Sequence, residues 1–137
     1  MAETKSVCVA DFFSKENEDN GIWYEVKVRG VGTGIELKVY GPNSNHASIA
    51  QDKYRKAREE VDKIDDVSAR SEATDKILAE FASALIADIR GKDGVKLVNK
   101  DGSDTTVKDI KDIMLNAPII ASDVVKFQQN QNNFLSK

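Results

Sequence analysis

The sequence predicts an α+β fold, a small antiparallel sheet of one hairpin plus a short third strand, packed against a body of about four helices. Three observations carry this. Between Ile22 and Tyr40 apolar side chains alternate with polar ones, the period of a half-buried strand. From His46 onward they recur instead at three- and four-residue steps, the period of a helix with one buried stripe. Glycine and proline clusters punctuate the change from one period to the other.

The first strand is read from Ile22, Tyr24, Val26 and Val28 on one face, with Trp23, Glu25, Lys27 and Arg29 on the other. A second follows in Ile35, Leu37 and Val39. Between them Gly30-Val31-Gly32-Thr33-Gly34 supplies the backbone freedom of a turn, which predicts a hairpin with a five-residue link. Phosphate-binding loops join a strand to a helix and carry further glycines or a lysine at fixed offsets. This run joins strand to strand and lacks the lysine.

Ahead of the hairpin, residues 1–20 are expected to form an arm or short strand and then a loop. Cys8, between Val7 and Val9, is expected to be a small buried or half-buried hydrophobe. The pair Phe12-Phe13 is either an anchor that pins the arm to the body or a hook for a partner. After the Gly41-Pro42 break, residues 46–64 predict a helix with a thin stripe of Ile49, Tyr54, Ala57, Val61 and Ile64. Residues 71–90 predict the main core helix, capped by Ser71 and buried through Ile77, Leu78, Phe81, Leu85 and Ile89. Val95–Val98 is the expected third strand. Thr106 and Asp109 have the spacing of a capping box. Asn116-Ala117-Pro118 stops that helix and puts Pro118 in the first turn of the last one. Ile120, Val124, Phe127 and Phe134 fall on one face there. The uncharged run Gln128–Asn133 predicts a frayed end, with Phe127 on the body and Phe134 partly exposed.

Size and composition set bounds on function. A chain of 137 residues corresponds to one domain, spanning residues 1–137, with arm 1–20 and tail 128–137 as its flexible parts. Apolar residues at 40% and charged residues at 31% describe a globular chain with a wet surface. The net charge is −3 and the sequence pI about 5.2, whereas nucleic-acid binders carry a basic face. No apolar run reaches the roughly 20 residues a bilayer requires, and the N-terminus lacks the apolar core of a secretory signal. One cysteine cannot close an internal disulfide, which fits a cytosolic setting. His46, the sole histidine, has no cysteine or histidine partner at ligand spacing. The carboxylates recur beside lysines and arginines, as on a solvated surface. The reading is therefore of a non-enzymatic chain without metal, cofactor, nucleic acid or membrane.

The order of elements resembles the tail assembly chaperones of long-tailed, non-contractile bacteriophages. The features that carry the resemblance are the opening Asp11-Phe12-Phe13-Ser14-Lys15, a strand ending Val28-Arg29-Gly30, and a central helix ending near Ile86-Ala87-Asp88. A capped helix stopped by Leu115-Asn116-Ala117-Pro118 and a last helix closing on Asn133-Phe134 complete the set. Many relatives carry a tryptophan near the position of Arg90-Gly91, where this chain has none; its one tryptophan is Trp23. The resemblance implies a protein without catalytic activity that coats the tape-measure protein, helps recruit tail-tube subunits in the host cytoplasm, and is absent from the mature virion. It further implies the short form of a pair made by frameshifting. A structural tail or head–tail connector subunit retained in the virion is the alternative. The residues expected to meet partners are Phe12, Phe13, Trp23, Ile120, Val124, Phe127 and Phe134. A second copy of the chain is a further candidate partner.

Overall fold

The computed structural model describes residues 5–136; the ends of the expected arm and tail, residues 1–4 and 137, lie outside the described residues. The fold is α+β. Three antiparallel strands, β1 (Ile22–Val28), β2 (Val31–Val39) and β3 (Ile86–Gly91), form a sheet in the order β1-β2-β3. Five helices accompany it: α1 (Lys15–Asn20), α2 (Asn45–Val61), α3 (Val67–Ala84), α4 (Ile110–Asn116) and α5 (Pro118–Gln129).

The hairpin turns one residue earlier than expected. Arg29 and Gly30 both have positive φ, 55° and 77°, as the tight two-residue hairpin turn demands. Gly32 and Gly34 lie inside β2. They serve a register shift between Glu25 and Lys27: a Cβ on Gly32 would meet the Glu25 carboxyl group at 2.7 Å, and the Gly34 N–H donates to Glu25 Oε2 at 3.1 Å. The alternation is as read. Val26, Leu37 and Val39 are buried on one face, with Tyr24 paired to Leu37 and Ile22 to Val39.

The third strand is Ile86–Gly91, not Val95–Val98. Leu85 and Ile89 are one helical turn apart, so their spacing fits a helix stripe as well as it fits a strand, and periodicity alone cannot separate the two. Tertiary pairing decides. The Leu85 carbonyl accepts from Tyr40 N–H at 2.8 Å, and β3 then runs beside β2, with Ile89 opposite Leu37. Val95 and Val98 are exposed, and their segment makes an isolated bridge, Val98 to Asp104.

Helix α3 therefore ends at Ala84 and begins earlier than expected. Asp66, not Ser71, is its cap, accepting from Ala69 N–H at 3.0 Å. Its buried side chains are Ala79 and Ala82, which let neighbouring helices approach closely. Phe81, expected at the centre of the core, is half-buried and packs on Tyr54 with ring centroids 5.2 Å apart. α3 lies between α2 on one side and α4 and α5 on the other, while α5 packs on β1. In α2, capped by Ser44, the buried face carries Ala47, Ala50 and Val61, and Ile49 points to solvent. The Thr106/Asp109 capping box and Pro118 at the first position of α5 are as read.

Candidate interaction surface

Residues 5–13 are all exposed. Lys5–Cys8 belongs to no helix or strand, and Val9–Phe12 forms a single 3-10 turn closed by Asp11 N–H on the Cys8 carbonyl and Phe13 N–H on the Ala10 carbonyl, both 3.1 Å. Val7, Val9, Phe12 and Phe13 expose 73, 69, 64 and 61% of their surface, so the anchor reading of Phe12-Phe13 is corrected: neither ring is sunk into the body. Cys8 is exposed as well, because the arm lies on no sheet.

The arm is fixed at its base. Ser136 N–H donates to the Phe13 carbonyl at 2.6 Å, and Asn17 Nδ2 donates to the Phe134 carbonyl at 3.0 Å. Helix α1, where the sequence suggested a loop, is held by Glu18. This carboxylate is buried; it accepts from Ser14 Oγ at 2.7 Å and from both the backbone and side-chain nitrogens of Asn43 at 2.9 and 3.1 Å. The only sequence signal for it was Gly41, which leaves room for the Glu18 side chain where a Cβ would overlap it.

The C-terminal residues do not fray. Asn130 accepts from Asn132 N–H at 3.2 Å, and Asn133 Nδ2 donates to the Phe127 carbonyl at 2.9 Å. The asparagines thus cap a 3-10 turn, Gln131–Phe134, through the local side-chain bonds this residue type favours. That turn drives Phe134 to 0% exposure, correcting the expectation that it is partly exposed. Phe127, half-buried, stacks on Tyr24 at 3.9 Å between centroids. Val124 is buried and Ile120 half-buried against the same cluster. Phe127 and Phe134 thus belong to the fold's own packing, and Phe134 and Val124 present no surface in this conformation.

Asp123 on α5 was not singled out in the sequence. Its Oδ2 accepts from the Tyr24 hydroxyl at 2.6 Å and from Lys27 N–H at 3.0 Å. Burial, then the hydrogen bond and charge of Asp123, push the Tyr24 phenol well above its ordinary value. On the opposite face of the sheet Trp23 is half-buried under the Arg90 guanidinium, 3.9 Å from the ring centroid, in cation–π geometry. Arg90 also pairs with Glu36 at 2.8 Å, and Lys92 with Glu25 at 3.1 Å. The Lys92 hydrogen bond, helped by Gly34 N–H, holds the Glu25 carboxyl below its usual value. His46 is exposed and stacks on Tyr40 at 3.8 Å.

Of the seven residues expected to meet partners, Phe12 and Phe13 are fully presented, and Trp23 is covered on one side by Arg90. Ile120, Val124 and Phe127 form the packed underside of α5, and Phe134 is buried in the turn that follows it. Among the described residues no group of three or more His, Cys, Asp or Glu side chains is placed to hold a metal ion, and no helix is long and apolar enough to cross a membrane. No protein-family model matches the chain, and no curated protein or solved structure matches it.

Proposed function

We propose that this chain is a phage tail assembly chaperone, a non-enzymatic protein that binds the tape-measure protein and helps recruit tail-tube subunits in the host cytoplasm. The supporting observation is the run Val7, Val9, Phe12 and Phe13, four large apolar side chains exposed within seven residues of one arm. Soluble chains seldom leave contiguous apolar patches open, and such patches mark sites of protein association. A tape-measure helix before assembly exposes apolar stripes of its own. The arm offers it two aromatic rings on a short turn, while the rest of the chain stays folded through contacts that do not involve them.

Co-expression with a phage tape-measure protein and a tail-tube protein tests the reading. The expected result is a co-purifying complex with the tape-measure protein that is lost in Phe12→Ser/Phe13→Ser, together with absence of the chain from purified virions by mass spectrometry. Stoichiometric recovery from virions would instead identify a structural tail or connector subunit.

A further inference from the structure

The arm meets the body at one point. Among the described residues, a single backbone hydrogen bond joins residues 5–13 to the rest of the chain, from Ser136 N–H to the Phe13 carbonyl at 2.6 Å. Phe13 directly precedes Ser14, the cap of α1. The bond therefore closes at the hinge where the arm leaves the body.

Its donor lies two residues beyond Phe134. That ring is enclosed and lies against Phe127, so its docking sets where Ser136 falls. Asn17 of α1 braces the same stretch, donating from Nδ2 to the Phe134 carbonyl at 3.0 Å and to the Leu135 carbonyl at 3.5 Å. α1 is held in turn by Glu18, whose backbone carbonyl also accepts from Gly41 N–H at 2.9 Å. Arm, α1 and C-terminal turn thus share one junction. A cleft of about 530 Å³ runs beside it, with Phe13, Asn17 and Ser136 in its lining. Ser136 is exposed. A hydrogen bond that water can reach opens far more readily than a packed core, so arm and turn can part while the sheet and the longer helices stay folded.

We infer that the C-terminal turn latches the arm: Phe134, docked in the core, holds the Ser136 N–H on the Phe13 carbonyl and so sets the direction in which Phe12 and Phe13 are presented. Phe134, Asn17 and Ser136 are then positioning residues for a surface to which Phe134 adds no area. An arm already ordered when it meets a partner loses less freedom on binding. The coupling is reciprocal, as linkage requires: a protein that grips the two rings in this orientation also holds the turn shut. The latch is a property of the chain alone, so it stands or falls apart from the chaperone reading.

The test uses the full chain with its single, exposed cysteine, Cys8, and a second cysteine, Ile49→Cys, at an exposed position of α2. Nitroxide labels on both report the distance from arm to body. One narrow distance distribution is expected. Ser136→Pro removes the N–H donor, and Leu135 already has the extended backbone, φ −63° and ψ 141°, that a following proline favours. The narrow distribution should be lost in this variant while the urea midpoint stays in place. Ser136→Ala keeps the N–H and should keep the narrow distribution. Phe134→Ala should lose it, because the turn that carries Ser136 is undocked. Phe12→Ser/Phe13→Ser should keep it, so that variant tests the partner contact with the latch intact. A broad distribution in the parent protein would overturn the inference. So would a narrow one in Ser136→Pro, equal broadening in Ser136→Ala, or a fall in the urea midpoint of Ser136→Pro, which would make the bond part of the fold as a whole.

Discussion

Phe134 lies against Phe127, ring centroids 5.8 Å apart and planes 55° from parallel, and Phe127 in turn stacks on Tyr24. The three rings form a pile that joins the C-terminal turn, α5 and β1. Its outermost ring is the most enclosed of the three. Phe134→Ala is therefore expected to cost about 3–5 kcal/mol, the range for removing a buried phenylalanine. A urea midpoint that stays in place would show that the turn is not docked in solution.

That pile marks the limit of what the residues revealed. The strand alternation from Ile22, the capping box at Thr106 and the stop at Pro118 are local signals, each set by neighbours within a few positions, and each was legible. The strand Ile86–Gly91 was not, because its apolar spacing also suits a helix and only pairing with β2 selects between them. Phe134 was misread for a related reason. Asn130 and Asn133 look like solvated residues until the backbone curls and gives their side chains something to bond. Asp123 and the Asn43 contact of Glu18 carry no local signature, since both reach residues far along the chain. On the interaction surface, Phe12-Phe13 stood out by composition, whereas the cover of Trp23 by Arg90 became visible only with the sheet order.

The Asp123 contact predicts an alkaline effect. Tyr24 is held protonated to higher pH in the folded chain than in the unfolded one. The native state then binds more protons than the unfolded state once pH passes the ordinary phenol value of about 10, so stability falls as pH rises further. Below that value the contribution is fully present. Tyr24→Phe should flatten this alkaline decline in urea titrations between neutral and high pH. At neutral pH it should cost about 1.5–3 kcal/mol, as for hydrogen bonds to charged groups. An unaltered alkaline slope would assign the decline to other groups.

Glu18 offers a separate test of how α1 is attached. Its carboxylate accepts from Ser14 and twice from Asn43. Glu18→Ala strips the Asn43 N–H of its partner, and unfolding should become easier by about 1–3 kcal/mol, the cost of an unsatisfied buried group. Gly41→Ala should show a loss of the same sign, because the new methyl would occupy the Glu18 position. Amide exchange at residues 15–20 is expected to rise in both variants. Wild-type protection there would mean that α1 docks by other contacts.

Gln128 is the one buried polar side chain among the described residues with no partner for either its Oε1 or its Nε2. Enclosed at 0% exposure, such an amide gives up its hydrogen bonds to water and gains none, a penalty of about 1–3 kcal/mol by mutational estimates. Leucine is close in size and has no polar atom to desolvate. Gln128→Leu is therefore expected to stabilise the fold by about 1 kcal/mol, part of the penalty being offset by imperfect shape match. The urea midpoint should rise with an unchanged slope, since the surface exposed on unfolding barely alters. A fall in midpoint would mean that an ordered water bridges the amide in solution, because its removal leaves that water without a partner.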